Sequence, residues 1–161
     1  MSIRDTASDA LDTDFCTGQI QGGHFQGIGG DGIDVSGSRV EIRDVTLQNV
    51  HDKAISVGEG SHLDAVAVSI RNAGTGIASK DASLALIRAP ILRQIRHVAL
   101  MAFAKKPEYG PAAIQSWDLR IADVGQTAVA QQGSRIEING TSVEASRLDT
   151  LDLYRAGSMR K

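Results

Sequence analysis

A chain of 161 residues with 42% hydrophobic residues is long enough for one packed domain, and 4% aromatic content beside 17 glycines calls for a core of Val, Ile, Leu and Ala in thin, regular layers. A net charge of −2 with no sustained basic stripe speaks against a phosphate footprint, so no nucleic-acid partner is expected. No apolar run approaches the roughly 20 residues that span a bilayer, so no membrane insertion is expected, and "MSIRDTASDA" lacks the apolar segment of a secretion signal.

Residues 1–8 read as an irregular N-terminal segment without a cap, so further coils or another domain are expected ahead of Met1. Cys16, the single cysteine, precludes an intrachain disulfide and reads as a small buried thiol. From residue 9 the chain repeats. Leu11, Ile33, Ile55 and Ile77 follow one another at 22 residues. Ile20 and Ile42 share the step; Phe25, Leu47, Ile70 and Leu92 follow at 22, 23 and 22, as do Ile28, Val50, Ala73 and Ile95. A one-residue insertion near Gly60 accounts for the 23. Within each unit "GIDVSG", "RVEIRDVTL" and "SRIEI" alternate apolar and polar residues, the period of a strand.

Three short strands in about 22 residues make one coil of a parallel β-helix, each coil pairing with the next at about 4.8 Å, right-handed by the usual rule for parallel connections. The expected fold is therefore all-β, a right-handed parallel β-helix of about six coils over residues 9–145. Asn49, Asn72, Gln94 and Asp123 hold one phase and predict left-handed corners with a side-chain ladder. The step from Leu92 to Ile121 exceeds the period by seven, and the step from Ile121 to Val143 returns to it, which places the excess in one extended coil around "AFAKKPEYGPA", residues 102–112. Residues 146–161 then form a C-terminal cap and tail, with Leu148, Leu151 and Leu153 expected to fold over the last coil.

"DFCTG", "GGDGIDVSGS", "DKAISVGEGS", "GIASKD" and "KKPEYGPA" give the chain a resemblance, over residues 9–145, to the right-handed parallel β-helix proteins of the pectin-lyase-like superfamily. More narrowly it resembles β-helix modules toward the C-terminal end of larger exported bacterial proteins. The resemblance implies an extracellular or periplasmic setting, a polysaccharide partner and an upstream domain in the same polypeptide. It does not fix an activity, because the superfamily holds lyases, hydrolases, epimerases and inert stalks.

Candidate site residues come from the outward positions. Asp9, Asp31 and Lys53 stack in one column; beside the inward isoleucines stand Asp12, Asp34, Ser56 and Ala78, then Asp14, Ser36, Gly58 and Lys80, with Glu59 and Asp81 at the strand exit. Stacked carboxylates repel, so their charge is offset either by Lys53 and Lys80 or by Ca²⁺ on Asp12, Asp31 and Asp34. "GGDGIDVSGS" is accordingly either a metal loop or a corner and strand held by Lys53. The ligand-binding candidates are Asp12, Asp14, Asp34 and Lys80, with Lys105, Lys106 and Tyr109 on the loop, where Trp117 lies close in sequence. By resemblance, a calcium-assisted uronate lyase or epimerase would use Lys53 or Lys80 as base. Lysines among carboxylates are instead held protonated, and no catalytic signature carries over residue by residue. His24, His51, His62 and His97 share no phase and make no i, i+4 pair, so zinc is not expected. The reading that results is a binding or scaffold module, with the lyase or epimerase as its alternative.

Overall fold

A computed structural model describes residues 1–155 and 159 of the chain. Alternating apolar residues give the strands β1 (Ser2–Thr6), β2 (Leu11–Asp14), β3 (Thr17–Ile28), β4 (Ile33–Ser36), β5 (Arg39–Gly58), β6 (His62–Val66) and β7 (Ser69–Lys80). There follow β8 (Leu84–Arg88), β9 (Ile91–Phe103), β10 (Ala113–Trp117), β11 (Arg120–Gln131), β12 (Arg135–Ile138), β13 (Thr141–Ser142), β14 (Ala145–Ser146) and one short helix, α1 (Thr150–Arg155). Strands one coil apart pair in parallel, so the chain is a parallel β-solenoid of about six turns with a spacing near 22 residues.

The apolar series are the registers. Leu11 pairs with Ile33, Ile33 with Ile55 and Ile55 with Ile77. Phe25, Leu47, Ile70 and Leu92 form a second column, and Ile28, Val50, Ala73 and Ile95 a third. Stacking like on like keeps each aliphatic layer filled, and full burial of one such side chain contributes about 1.5–3 kcal/mol. Asn49, Asn72, Gln94 and Asp123 all adopt the left-handed conformation, with φ of 54°, 56°, 55° and 56°. Asn72 Nδ2 donates to Asn49 Oδ1 at 2.8 Å, the expected ladder. Phe15, Gly37, Glu59 and Asp81, and likewise Gly22, Asp44, Ala67, Ala89 and Asp118, supply two further left-handed columns, so three bends close each coil. A serine ladder joins them: the hydroxyls of Ser38, Ser61 and Ser83 accept the backbone N–H of Cys16, Ser38 and Ser61, one coil earlier, at 2.9, 2.9 and 3.0 Å.

Several expectations change. Residues 1–8 are not irregular, since β1 pairs with β3 and brings Ile3 into the Phe25 column. Cys16 is exposed rather than buried, because the corner beside it points outward. The insertion near Gly60 stands, as Ser36 pairs with Gly58 one regular period on while Arg39 pairs with His62, one position further than the period. The extended coil splits its extra length: Ile77 pairs with Leu100 across a bulge, one position beyond the period, and Leu84 with Ala113, seven positions beyond it. One added residue is thus a bulge in β9, and the other six form the loop before β10. The step from Ile121 to Val143 is not realised, because after the left-handed Asn139 and Gly140 the chain reverses into an antiparallel β12–β13 hairpin.

The cap is placed differently too. Leu148 and Leu153, with Tyr154 and Met159, pack against Ala78, Val98, Met101 and Phe103 on the side wall, not over the last coil. The reason lies in the outward columns, which turn from acidic to apolar toward the later coils. The Leu151 side chain, and residues 156–158 and 160–161 of the expected tail, lie outside the described residues.

Ile55→Asp is expected to cost more than about 4 kcal/mol by placing an unpaired carboxylate in a closed aliphatic layer. An unchanged thermal unfolding curve would contradict the register.

Candidate functional site

The site starts from the column of Asp9, Asp31 and Lys53. A carboxylate of Asp9 accepts the N–H of Asp31 at 2.6 Å, and Asp31 Oδ1 accepts the N–H of Lys53 at 3.0 Å, so each aspartate caps the backbone of the next coil. "GGDGIDVSGS" is therefore a corner entering a strand. Gly30 is needed there because a Cβ would collide with the Asp9 carboxylate.

The Lys53 stem folds back so that Nζ lies 3.1 Å from Asp31 Oδ1 and 2.6 Å from Asp52 Oδ2, with side-chain exposures of 2%, 8% and 3% for Lys53, Asp31 and Asp52. Burial pulls the Lys53 ammonium down, but Asp31 and Asp52 together outweigh it and hold the group above its ordinary value. Burial, reinforced by Asp52, pushes the Asp31 carboxyl up to about 6 against the opposing pull of Lys53. Asp52 is the member that sequence reasoning missed. Its only signal was adjacency to Lys53, because neighbours along a strand ordinarily face opposite ways and the bend at this corner brings both to one side.

Beside this triad opens a cleft of about 280 Å³. Its walls gather Asp31, Asp34, Lys53, Lys80 and Lys105 from the sequence candidates, together with Asp9 and Asp52. Lys80 lies across Gly58, where a Cβ would come within 2.9 Å of its Cε. Lys105 is set by Asp81, whose Oδ1 accepts the N–H of Lys105 at 2.7 Å and of Lys106 at 2.6 Å, pinning the loop. Among the described residues the ion pairs of this face belong to Lys53 and Lys106, and neither Lys80 nor Lys105 has a carboxylate within pairing distance. Burial, then the charges of Lys80 and Lys53, hold the Lys105 amine below its ordinary value.

The remaining candidates lie apart from the cleft walls. Asp12 and Asp14 are exposed, and burial, with Asp14 and Asp34 nearby, holds the Asp12 carboxyl above its ordinary value. Lys106 is paired to Glu59, a hydrogen bond that raises its ammonium. Tyr109 is 41% exposed, and Trp117 lies with its ring 5.5 Å from the Arg88 guanidinium. Asp12, Asp31 and Asp34 do not form a chelating set: among the described residues no three His, Cys, Asp or Glu side chains form a group that could hold a metal ion.

Buried polar atoms stand without hydrogen-bond partners among the described residues: Asp34 Oδ1 in the cleft wall, and Ser56 Oγ, Thr75 Oγ1 and the Tyr154 hydroxyl outside it. Ser56 is in register with Asp34 and Thr75 with Lys53, so they belong to the adjoining rungs of the same face. Such orphaned groups are uncommon in folded proteins and call for an occupant, solvent or ligand. Compared with protein-family models, curated proteins and solved structures, the chain matches none. The geometry offers two unpaired ammonium groups for an anion and unpartnered carboxylate and hydroxyl oxygens for hydroxyl groups.

Lys53→Met is expected to cost about 3–5 kcal/mol, because it leaves two buried carboxylates without their cation. Between 3.8 and about 6 the folded chain keeps a proton on Asp31 that the unfolded chain releases, so this group's contribution to stability falls as pH rises through that window and is flat above it. Asp31→Asn should remove that slope from a series of melting curves; an identical slope would exclude Asp31 as its source.

Proposed function

We propose that the chain is a β-solenoid binding module of an exported, polysaccharide-associated protein, whose cleft takes a carboxylate-bearing sugar unit. One observation carries the reading: among the described residues Lys80 and Lys105 face one cleft without a carboxylate partner while Asp34 Oδ1, buried beside them, has no donor. A uronate answers both needs, its carboxylate pairing with the lysines and a ring hydroxyl donating to Asp34. The resemblance of the outer motifs to pectin-lyase-like β-helices supports the export, the polysaccharide and an upstream domain in the same polypeptide.

A second reading, a uronate lyase or epimerase, is favoured by the depressed Lys105 amine, which lies in the cleft 5.0 Å from the centre of the Tyr154 ring. In it Lys105 takes the base role expected of Lys53 or Lys80, since the two carboxylates on Lys53 hold its proton in place.

Calorimetric titration with trigalacturonate and with the uncharged trisaccharide maltotriose tests the module. Saturable binding is expected for the acidic sugar alone, weakened about tenfold or more in Lys80→Ala or Lys105→Ala and little changed in Lys106→Ala. Absence of binding, or equal binding of both sugars, rejects it. Growth of the ultraviolet absorbance of an unsaturated uronate, lost in Lys105→Ala, would establish the lyase form of the second reading.

A further inference from the structure

The outward face of this solenoid is not solvated along its whole height. Asp12, Asp34 and Ser56 occupy one outward column on the early coils, and the same column continues as Ala78 and Met101. In the parallel column Lys80 is in register with Phe103. Ala78, Met101 and Phe103 are 0%, 1% and 0% exposed although they point away from the aliphatic core, because Leu148, Leu153, Tyr154 and Met159 lie on them. The polar half of the face is the cleft, and the apolar half is the seat of the C-terminal segment.

We propose that the segment 148–155, with Met159, is a releasable strap that closes the Lys105 side of the cleft. Its attachment differs in kind from the rest of the fold. Sheet pairing ends at β14, and beyond it Gln131 Nε2 donates to the Leu148 carbonyl at 3.1 Å while the seat itself is apolar. Lifting the strap breaks no rung of the ladder between coils. The six residues of α1 are too few for a stable isolated helix, so the helix forms as it docks.

Docking is also opposed from within. Among the described residues the buried Tyr154 hydroxyl has no hydrogen-bond partner, and burial together with the carboxylates of Asp52, Asp31 and Asp81 pushes its ionisation well up. Leaving such a donor unpaired works against the apolar gain, as does ordering a terminal segment. Loss of a single contact in the seat is therefore expected to shift the balance. The Tyr154 ring lies 5.0 Å from Lys105 Nζ, so the closed strap shields one side of this half-buried cleft lysine, and opening exposes it further. The gate rests on the cleft being the ligand site, but its opening is measurable without any ligand.

The experiment is acetylation of the full chain with an N-hydroxysuccinimide ester, each lysine followed by mass spectrometry. Lys106, with its side chain 41% exposed and ion-paired to Glu59, is the internal reference. In Leu153→Ser, labelling of Lys105 relative to Lys106 is expected to rise about tenfold, the loss of one partly buried leucine converted to a population shift. Leu148→Ser should act the same way, and the main melting transition of both variants should remain that of the solenoid. Unchanged relative labelling in both folded variants overturns the strap. Trigalacturonate separates the two proposals: if it protects neither lysine while the variants still label faster, the strap stands and the saccharide reading falls.

Discussion

Everything in this molecule depends on the pairing of each coil with the next through parallel backbone hydrogen bonds. That ladder fixes the vertical neighbour of every residue, so a side chain is chosen less for its own surroundings than for the column it joins. An aliphatic column fills a layer, an amide column bonds to itself at a left-handed corner, and a serine column caps backbone N–H groups of the coil before. The same rule places Asp9, Asp31 and Lys53 in line, where two aspartates serve as backbone caps and the lysine ends the run by supplying charge.

The charged column explains why the cleft sits where it does. Asp31 is held by a backbone N–H and by Lys53 Nζ, and Asp52 lies on the other side of the same ammonium. With those charges engaged, Lys80 and Lys105 remain, among the described residues, without carboxylates of their own. The loop before β10 brings Lys105 there only because Asp81 grips two successive N–H groups, which makes a corner residue of one coil the organiser of the insertion in the next. The site is thus a product of the ladder, the corner and the loop acting at one level of the stack.

Fold and site were legible to different degrees. The registers of Leu11 through Ile77 and of Phe25 through Leu92 could be read directly, since each residue repeats at a spacing the backbone must honour. The left-handed Asn49, Asn72, Gln94 and Asp123 were legible for the same reason. Lys80, Lys105 and Asp34 could be named as outward candidates, but not as one cleft separated from Asp12, Asp14, Lys106 and Tyr109. The part played by Asp52 and the pairing of Lys106 with Glu59 depend on side-chain reach across a bend, which no spacing encodes.

The sequence by itself determined the solenoid: its period, its inward columns, its corners and the place of its one long loop, because each is a local repeat checked against the coil above. Only the tertiary structure decided which lysines keep a free charge and where the C-terminal segment comes to rest. Leu148, Leu153 and Tyr154 belong to no repeat, so nothing in their spacing tells the end of the stack from its side. The apolar seat that receives them is built from Ala78, Met101 and Phe103, residues of different coils that become one surface only when the coils are stacked.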